Sequence, residues 1–154
     1  GHNIDPAAIE DALIGHPAVS IAAAVGQPDR YAGELPVAFV VLEAGATASE
    51  EELLAFVAEA VPEPAARPKR IWLLDAMPLT PVGKIFKPAL RAEAARYAVA
   101  AALATLPALP RDLTVSVAAT GNIVVRVAEL PSADEAQLRA ALTGMPVEIQ
   151  CSPA

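Results

Sequence analysis

Pro78-Leu79-Thr80-Pro81-Val82-Gly83-Lys84-Ile85 is a proline-stiffened loop that presents one lysine. Proline fixes its own φ and donates no hydrogen bond. The glycine beside the lysine permits a close backbone approach or a dihedral closed to other residues. A lysine held on such a loop can meet a phosphate or a carboxylate as a point charge. The segment is not a P-loop, because the glycine spacing is absent and Ile85, not Ser or Thr, follows Lys84. On the residues alone Lys84 reads first as a solvated loop lysine, and only second as a functional group.

Outward from this loop, short periodic segments alternate with breakers. Upstream, Arg70 to Leu74 reads as a short strand, preceded by a loop broken at Pro62, Pro64 and Pro68. Before it, Ser49 with Glu52 forms a capping box ahead of a helix whose apolar stripe is Leu53, Leu54, Phe56, Val57, Ala60 and Val61. Leu35 to Leu42 and Val19 to Val25 read as strands, with Pro36 at a strand start or an edge and Gly26-Gln27-Pro28-Asp29 as a turn between them. Asp5-Pro6 starts a first helix with Ile9 and Leu13 on one face, and Gly15-His16-Pro17 stops it. Downstream, Pro88 opens a helix that runs towards Leu106. The order helix, strand, strand, helix, strand, helix predicts an α+β domain of roughly 95 residues, a small mixed sheet with flanking helices.

A second, smaller α+β unit follows. Leu113 to Val117 and Ile123 to Val127 alternate apolar and polar around Ala118-Ala119-Thr120-Gly121-Asn122, a glycine-containing hairpin loop. Ser132 to Glu135 reads as another capping box, opening a helix with Leu138, Ala141 and Leu142 on one face and Gly144 at its close. Val147 to Cys151 reads as a last strand.

Composition excludes several classes. The 154 residues carry 11 Lys and Arg against 18 Asp and Glu, a formal net charge of −7, which argues against a nucleic-acid-binding face. No stretch approaches the ~18–20 uninterrupted apolar residues of a membrane span. The single cysteine, Cys151, permits no internal disulfide and suits a cytoplasmic protein. With only His2, His16 and Cys151 so separated, no zinc site is expected, and His16 before Pro17 reads as a helix-end residue. The chain opens abruptly at Gly1-His2-Asn3-Ile4, as a fragment of a longer protein would.

Pro78-x-Thr80-x-x-Gly83-Lys84 resembles the last core motif of the adenylate-forming enzymes and matches it at every fixed position. Four further segments are similar to that family's C-terminal domain, in its order and at its spacing: Gly1-His2-Asn3-Ile4-Asp5-Pro6 with Ile9-Glu10, His16-Pro17-Ala18-Val19, Val25-Gly26-Gln27-Pro28-Asp29, and Gly33-Glu34-Leu35-Pro36-Val37-Ala38-Phe39-Val40. The resemblance covers about residues 1–96. It implies the small lid domain of an AMP-forming acyl-CoA synthetase, residues 1–97, followed by a C-terminal extension, 98–154, for which it gives no guide.

The resemblance implies a two-step reaction in which a carboxylate attacks the α-phosphate of ATP and a thiol, usually that of coenzyme A, then displaces AMP. Lys84 falls on the family's catalytic lysine, whose charge assists the first step. Thr80 and Gly83 fall on positions that shape the loop. Gly1, His2 and Asn3 fall beside the coenzyme A path, although Gly1-His2 also reads as a purification remnant. ATP with Mg2+ and coenzyme A would be bound mainly by a large N-terminal AMP-binding domain, the implied partner. Two rival readings stay open: a non-catalytic protein-binding module of the same fold, and the lid of an adenylating enzyme that loads a carrier protein. Residues 98–154 read first as a packed appendage and second as a surface for a second copy or another partner.

Overall fold

Asp5 and Pro6 start the first helix as their chemistry dictates. The Asp5 carboxylate accepts the Ala8 N–H at 3.3 Å, and Pro6 occupies a first-turn position where no N–H is needed. The computed structural model describes residues 4–106 and 112–153. Two compact units divide them. The first comprises the described residues up to Gly26 together with Leu35–Leu90, and the second comprises Gln27–Glu34 and the described residues from Arg91 onwards.

In the first unit α1 (Pro6–Ile14) and α2 (Glu50–Ala60) pack beside a three-stranded sheet of order β1-β2-β3. β1 is Val19–Asp29, β2 is Gly33–Leu42 and β3 is Ile71–Leu73. β2 lies between the others and runs parallel to β3, from Ala38↔Ile71 to Val40↔Leu73. The core joins Ile9 and Leu13 of α1 to Ala38 and Val40 of β2, Leu53 and Val57 of α2, and Ile71 of β3. The Ser49 capping box is present in both directions, Ser49 Oγ accepting the Glu52 N–H and Glu52 accepting the Ser49 N–H. This mixed α+β arrangement is the fold class that the element order predicts.

One turn is displaced. Gly26 to Asp29 lies within β1, and the chain reverses at Arg30, Tyr31 and Ala32 instead. Asp29 makes that turn, its carboxylate accepting the N–H groups of Tyr31 at 2.9 Å and Ala32 at 2.8 Å. Pro28 is tolerated because β1 is an edge strand. Pro36 lies inside β2, the central strand, yet ahead of its register with β3; its carbonyl still accepts the Lys69 N–H at 2.8 Å. Ala38 N–H already donates to Arg70 O at 3.0 Å, so the nitrogen of Pro36, two residues earlier, faces the same side before β3 begins.

Glu50 ties α2 to β3. Its carboxylate accepts Arg70 Nε at 2.6 Å and the Ile71 N–H at 3.2 Å. Burial pushes the Glu50 pKa up, but the Arg70 and Ile71 hydrogen bonds and the guanidinium charge outweigh it and hold the carboxyl below its ordinary 4.5. A carboxyl lowered in the folded state adds stability above its unfolded pKa and loses it as pH falls through the folded value. Glu50→Gln should therefore lower Tm at neutral pH, and the gap to the parent should close as the pH drops below the ordinary 4.5. Thermal melts across pH check this; a gap equally wide in acid would mean that the charge is not what joins α2 to β3.

In the second unit β4 (Leu113–Val117) pairs antiparallel with β5 (Ile123–Leu130), which pairs parallel with β6 (Val147–Pro153). α4 (Ser132–Ala141) makes the β5-to-β6 crossover that parallel strands require. The core gathers Val99 from α3 (Lys87–Leu103), Val125, Val127 and Leu130 from β5, and Leu138 and Leu142. Ala102, Leu103 and Leu106 pack against it. On the opposite, polar face Arg126 donates to Gln150 at 2.9 Å and to Ser116 at 3.1 Å. The β1–β2 turn is held within this unit. Gln27 donates to Ala94 O at 2.8 Å, Arg30 to Ala141 O at 2.7 Å, and Arg91 to both Glu34 and Gly121 O.

The capping box expected at Ser132 does not form. Pro131 is the N-cap, so Ser132 is already inside the first turn and its hydroxyl is not placed below the Glu135 N–H; Pro131 O accepts that N–H instead, at 2.9 Å. The helix ends at Ala141, and Gly144 lies beyond the cap residue Leu142. No helix among the described residues is long and apolar enough to cross a membrane.

Candidate active-site loop

The loop after β3 closes on itself as a small hairpin. Leu79 and Ile85 form an antiparallel bridge, and Phe86 N–H donates to Pro78 O at 2.8 Å. Inside that bridge Thr80 N–H donates to Lys84 O at 2.7 Å, and Gly83 N–H donates to Thr80 O at 2.9 Å. Gly83 has φ +81°, a left-handed conformation. A turn followed by one left-handed residue is the three-residue hairpin loop in which glycine takes the bulge position. A Cβ at Gly83 would meet nothing within 4 Å, so the need for glycine here is backbone strain and not space.

Thr80 completes the closure. Its Oγ1 accepts the Lys84 N–H at 3.1 Å, so both the backbone and the side chain of Thr80 hold the residue that carries the lysine. Lys84 itself is exposed, and its ammonium has no hydrogen-bond or ion-pair partner among the described residues. The same segment carries exposed apolar side chains: Val82 at 81%, Leu79 at 55% and Phe86 at 45% of their full area. A charge fixed at its backbone, free at its tip and borne on a segment with exposed apolar groups is suited to meet an anion on a surface that sheds water when covered. Expelling water strengthens such a contact.

The other candidate residues lie apart from this loop. Gly1, His2 and Asn3 are outside the described residues. His16 follows the C-cap of α1, where its Nδ1 accepts the Ala18 N–H at 3.1 Å and its ring meets Phe56 edge-on at 4.8 Å. Cys151 packs against the second core. Burial, then the Glu135 carboxylate, push its thiol up, with Arg139 opposing, so the nucleophilic thiolate is disfavoured. Among the described residues no three His, Cys, Asp or Glu side chains converge to hold a metal.

Two features of the site carry no local sequence signal. The loop is a closed hairpin, although its flanks hold prolines in place of alternating strand residues. Lys87, the first residue of α3, pairs with Glu10 of α1 at 3.0 Å across 77 positions of sequence.

Comparison with known proteins gives the chain a family. The family model described as AMP-binding enzyme C-terminal domain matches residues 8–84, a span that ends on the lysine. A marinolic acid–CoA ligase of Pseudoalteromonas sp. is 55% identical over 87 residues, which cover 56% of this chain and 13% of that enzyme. An acetyl-coenzyme A synthetase of Deinococcus radiodurans is 43% identical over 106 residues, covering 69% of this chain and 16% of that enzyme. Among solved structures, an acyl-CoA synthetase of Brucella canis superposes with a TM-score of 0.56 at 38% identity, over 61% of this chain and 18% of that one. The chain thus spans less than a fifth of the length of each of these relatives.

Proposed function

The chain belongs to the AMP-binding enzyme C-terminal domain family, and from that premise we propose that it is the lid of an AMP-forming acid–thiol ligase. The ligase activates a carboxylic acid with ATP and transfers the acyl group to coenzyme A. The observation that carries the reading is the Lys84 ammonium, unpartnered among the described residues, on a hairpin that fixes its backbone at the end of the family match. In the first step a carboxylate oxygen bonds to the α-phosphorus and pyrophosphate leaves. Negative charge shifts among the carboxylate and phosphate oxygens as it does so. The Lys84 ammonium sits against those oxygens, stabilising that charge and orienting the two reactants. In the second step the coenzyme A sulfur attacks the acyl carbonyl and AMP departs. Lys84 has no part in it, because the lid has swung to its other pose.

In this reading residues 1–97 are the lid and 98–154 an appendage to it. Thr80 and Gly83 shape the lysine hairpin, and Gly1 to Asn3 lie on the coenzyme A side. ATP, Mg2+ and most of the coenzyme A are held by the large N-terminal domain, which is the lid's partner in the same cytoplasmic enzyme. The exposed side chains of Leu79, Val82 and Phe86 are apolar surface that would leave water when lid and large domain meet.

The polypeptide of residues 1–154 alone is expected neither to release pyrophosphate nor to form acyl-CoA from ATP, a panel of carboxylates and coenzyme A. The full-length enzyme is expected to do both. AMP formation by the isolated chain at a rate near that of the full-length enzyme would overturn the lid reading.

A further inference from the structure

Lys87 opens α3, and a cation at the first position of a helix faces the positive end of the helix dipole. Acidic residues commonly relieve this from within the first turn, and α3 has none there. The relief comes from another element. Glu10 of α1 reaches the Lys87 ammonium at 3.0 Å, with the two side chains only 22% and 40% exposed. The pair is thus partly shielded from solvent, where an ion pair is screened less than on an open surface.

Its position gives the pair a second consequence. The hydrogen bonds of the lysine hairpin described above all join the loop to itself. Phe86, which closes the hairpin against Pro78, immediately precedes Lys87 and accepts the Ala89 N–H at 3.1 Å. The hairpin and the start of α3 are therefore one continuous piece, and the Glu10–Lys87 pair ties that piece to α1. We infer that Glu10 is a positioning residue for Lys84, acting through Lys87 to fix the height and direction of the lysine hairpin relative to α1. The inference rests on the lid reading. It adds that α1, the first helix of the chain, carries the hairpin with it when the lid moves.

The test uses the full-length ligase, with adenylation and thioester formation measured as separate half-reactions. Glu10→Gln and Lys87→Met should each lower kcat for adenylation by about two- to tenfold, a range set by the modest strength of a part-exposed ion pair and by the sensitivity of catalysis to misplacement. KM for ATP and the carboxylate should stay within about twofold, and thioester formation from pre-made acyl adenylate should be unaffected. The charge-exchanged double variant Glu10→Lys/Lys87→Glu should recover most of the adenylation rate. A merely structural role would lower Tm, slow both half-reactions together and gain nothing from the exchange, and that result overturns the inference. So does an unchanged adenylation rate in both single variants. Lys84→Ala, run in parallel, separates the two ideas: adenylation that survives loss of Lys84 defeats the lid reading itself, whereas its loss there, beside unchanged Glu10 and Lys87 variants, defeats only the positioning role.

Discussion

Replacing Lys84 by alanine in the full-length enzyme is expected to slow acyl-adenylate formation by about 10²–10³, the scale for removing one oriented electrostatic donor. The hairpin supplies the reason for so large a figure. Thr80 N–H donates to Lys84 O at 2.7 Å, and Thr80 Oγ1 accepts the Lys84 N–H at 3.1 Å, so the backbone that carries the lysine is held before substrate arrives. No backbone order has to be created in the transition state, and what is lost on truncation is a charge carried on a pre-formed loop. Thioester formation from pre-made acyl adenylate should change far less if, as proposed, the hairpin is withdrawn in the second pose. Rapid-quench measurement of each half-reaction decides the matter. Equal losses in both would contradict the two-pose mechanism. Lys84→Arg keeps the charge but replaces a compact ammonium with a planar fork, and it should recover only part of the rate.

Deleting residues 108–154 is expected to leave adenylation in place while lowering Tm or changing the oligomeric state. The second core is shared between the extension and α3. Val99 is fully buried there, and Ala102, Leu103 and Leu106 pack beside it against β5 and α4. Removing the sheet uncovers this apolar face of α3, and a contiguous apolar face seeks another cover. The deletion also removes Ala141 and Gly121, whose carbonyls accept Arg30 and Arg91. None of these groups belongs to the lysine hairpin. Light scattering, thermal melts and the adenylation half-reaction of the truncated full-length enzyme form the check. A truncate that keeps its Tm and oligomeric state but loses catalysis would place the extension in the active site.

What the sequence reveals depends on how local the chemistry is. Asp5-Pro6 and Ser49 with Glu52 are legible because a cap is made within one turn of chain. The same reasoning fails at Ser132, where a one-residue shift of the helix start moves the hydroxyl out of register. Gly26 and Pro28 look like turn residues, yet cross-strand pairing carries β1 through them and the Asp29 carboxylate makes the turn further on. In the candidate site, the resemblance singles out Lys84 and the motif marks Thr80 and Gly83 as neighbours that shape the loop. The hairpin closure is harder to see. Residues 118–122 have the same geometry, with Ala118 N–H to Asn122 O, Gly121 N–H to Ala118 O and Gly121 at φ +88°. They read as a hairpin because β-branched alternation flanks them, whereas prolines flank residues 80–84. The Glu10–Lys87 pair lies beyond any local pattern, since only the fold brings together residues 77 positions apart.

The form of the first sheet bears on a hazard that a moving lid creates. A lid that parts from its large domain during each turnover bares to solvent, again and again, surfaces that were covered. An open strand edge among them would act as a template for the edge of another molecule. Here β3 is only three residues long, and β1 contains Pro28, which withholds one backbone donor. The β3 border therefore offers only a short row of N–H and C=O groups, and the longer row of β1 loses a donor at Pro28, near the strand's end. If the chain opens as the proposed lid, its β3 border would give another molecule little edge to pair with.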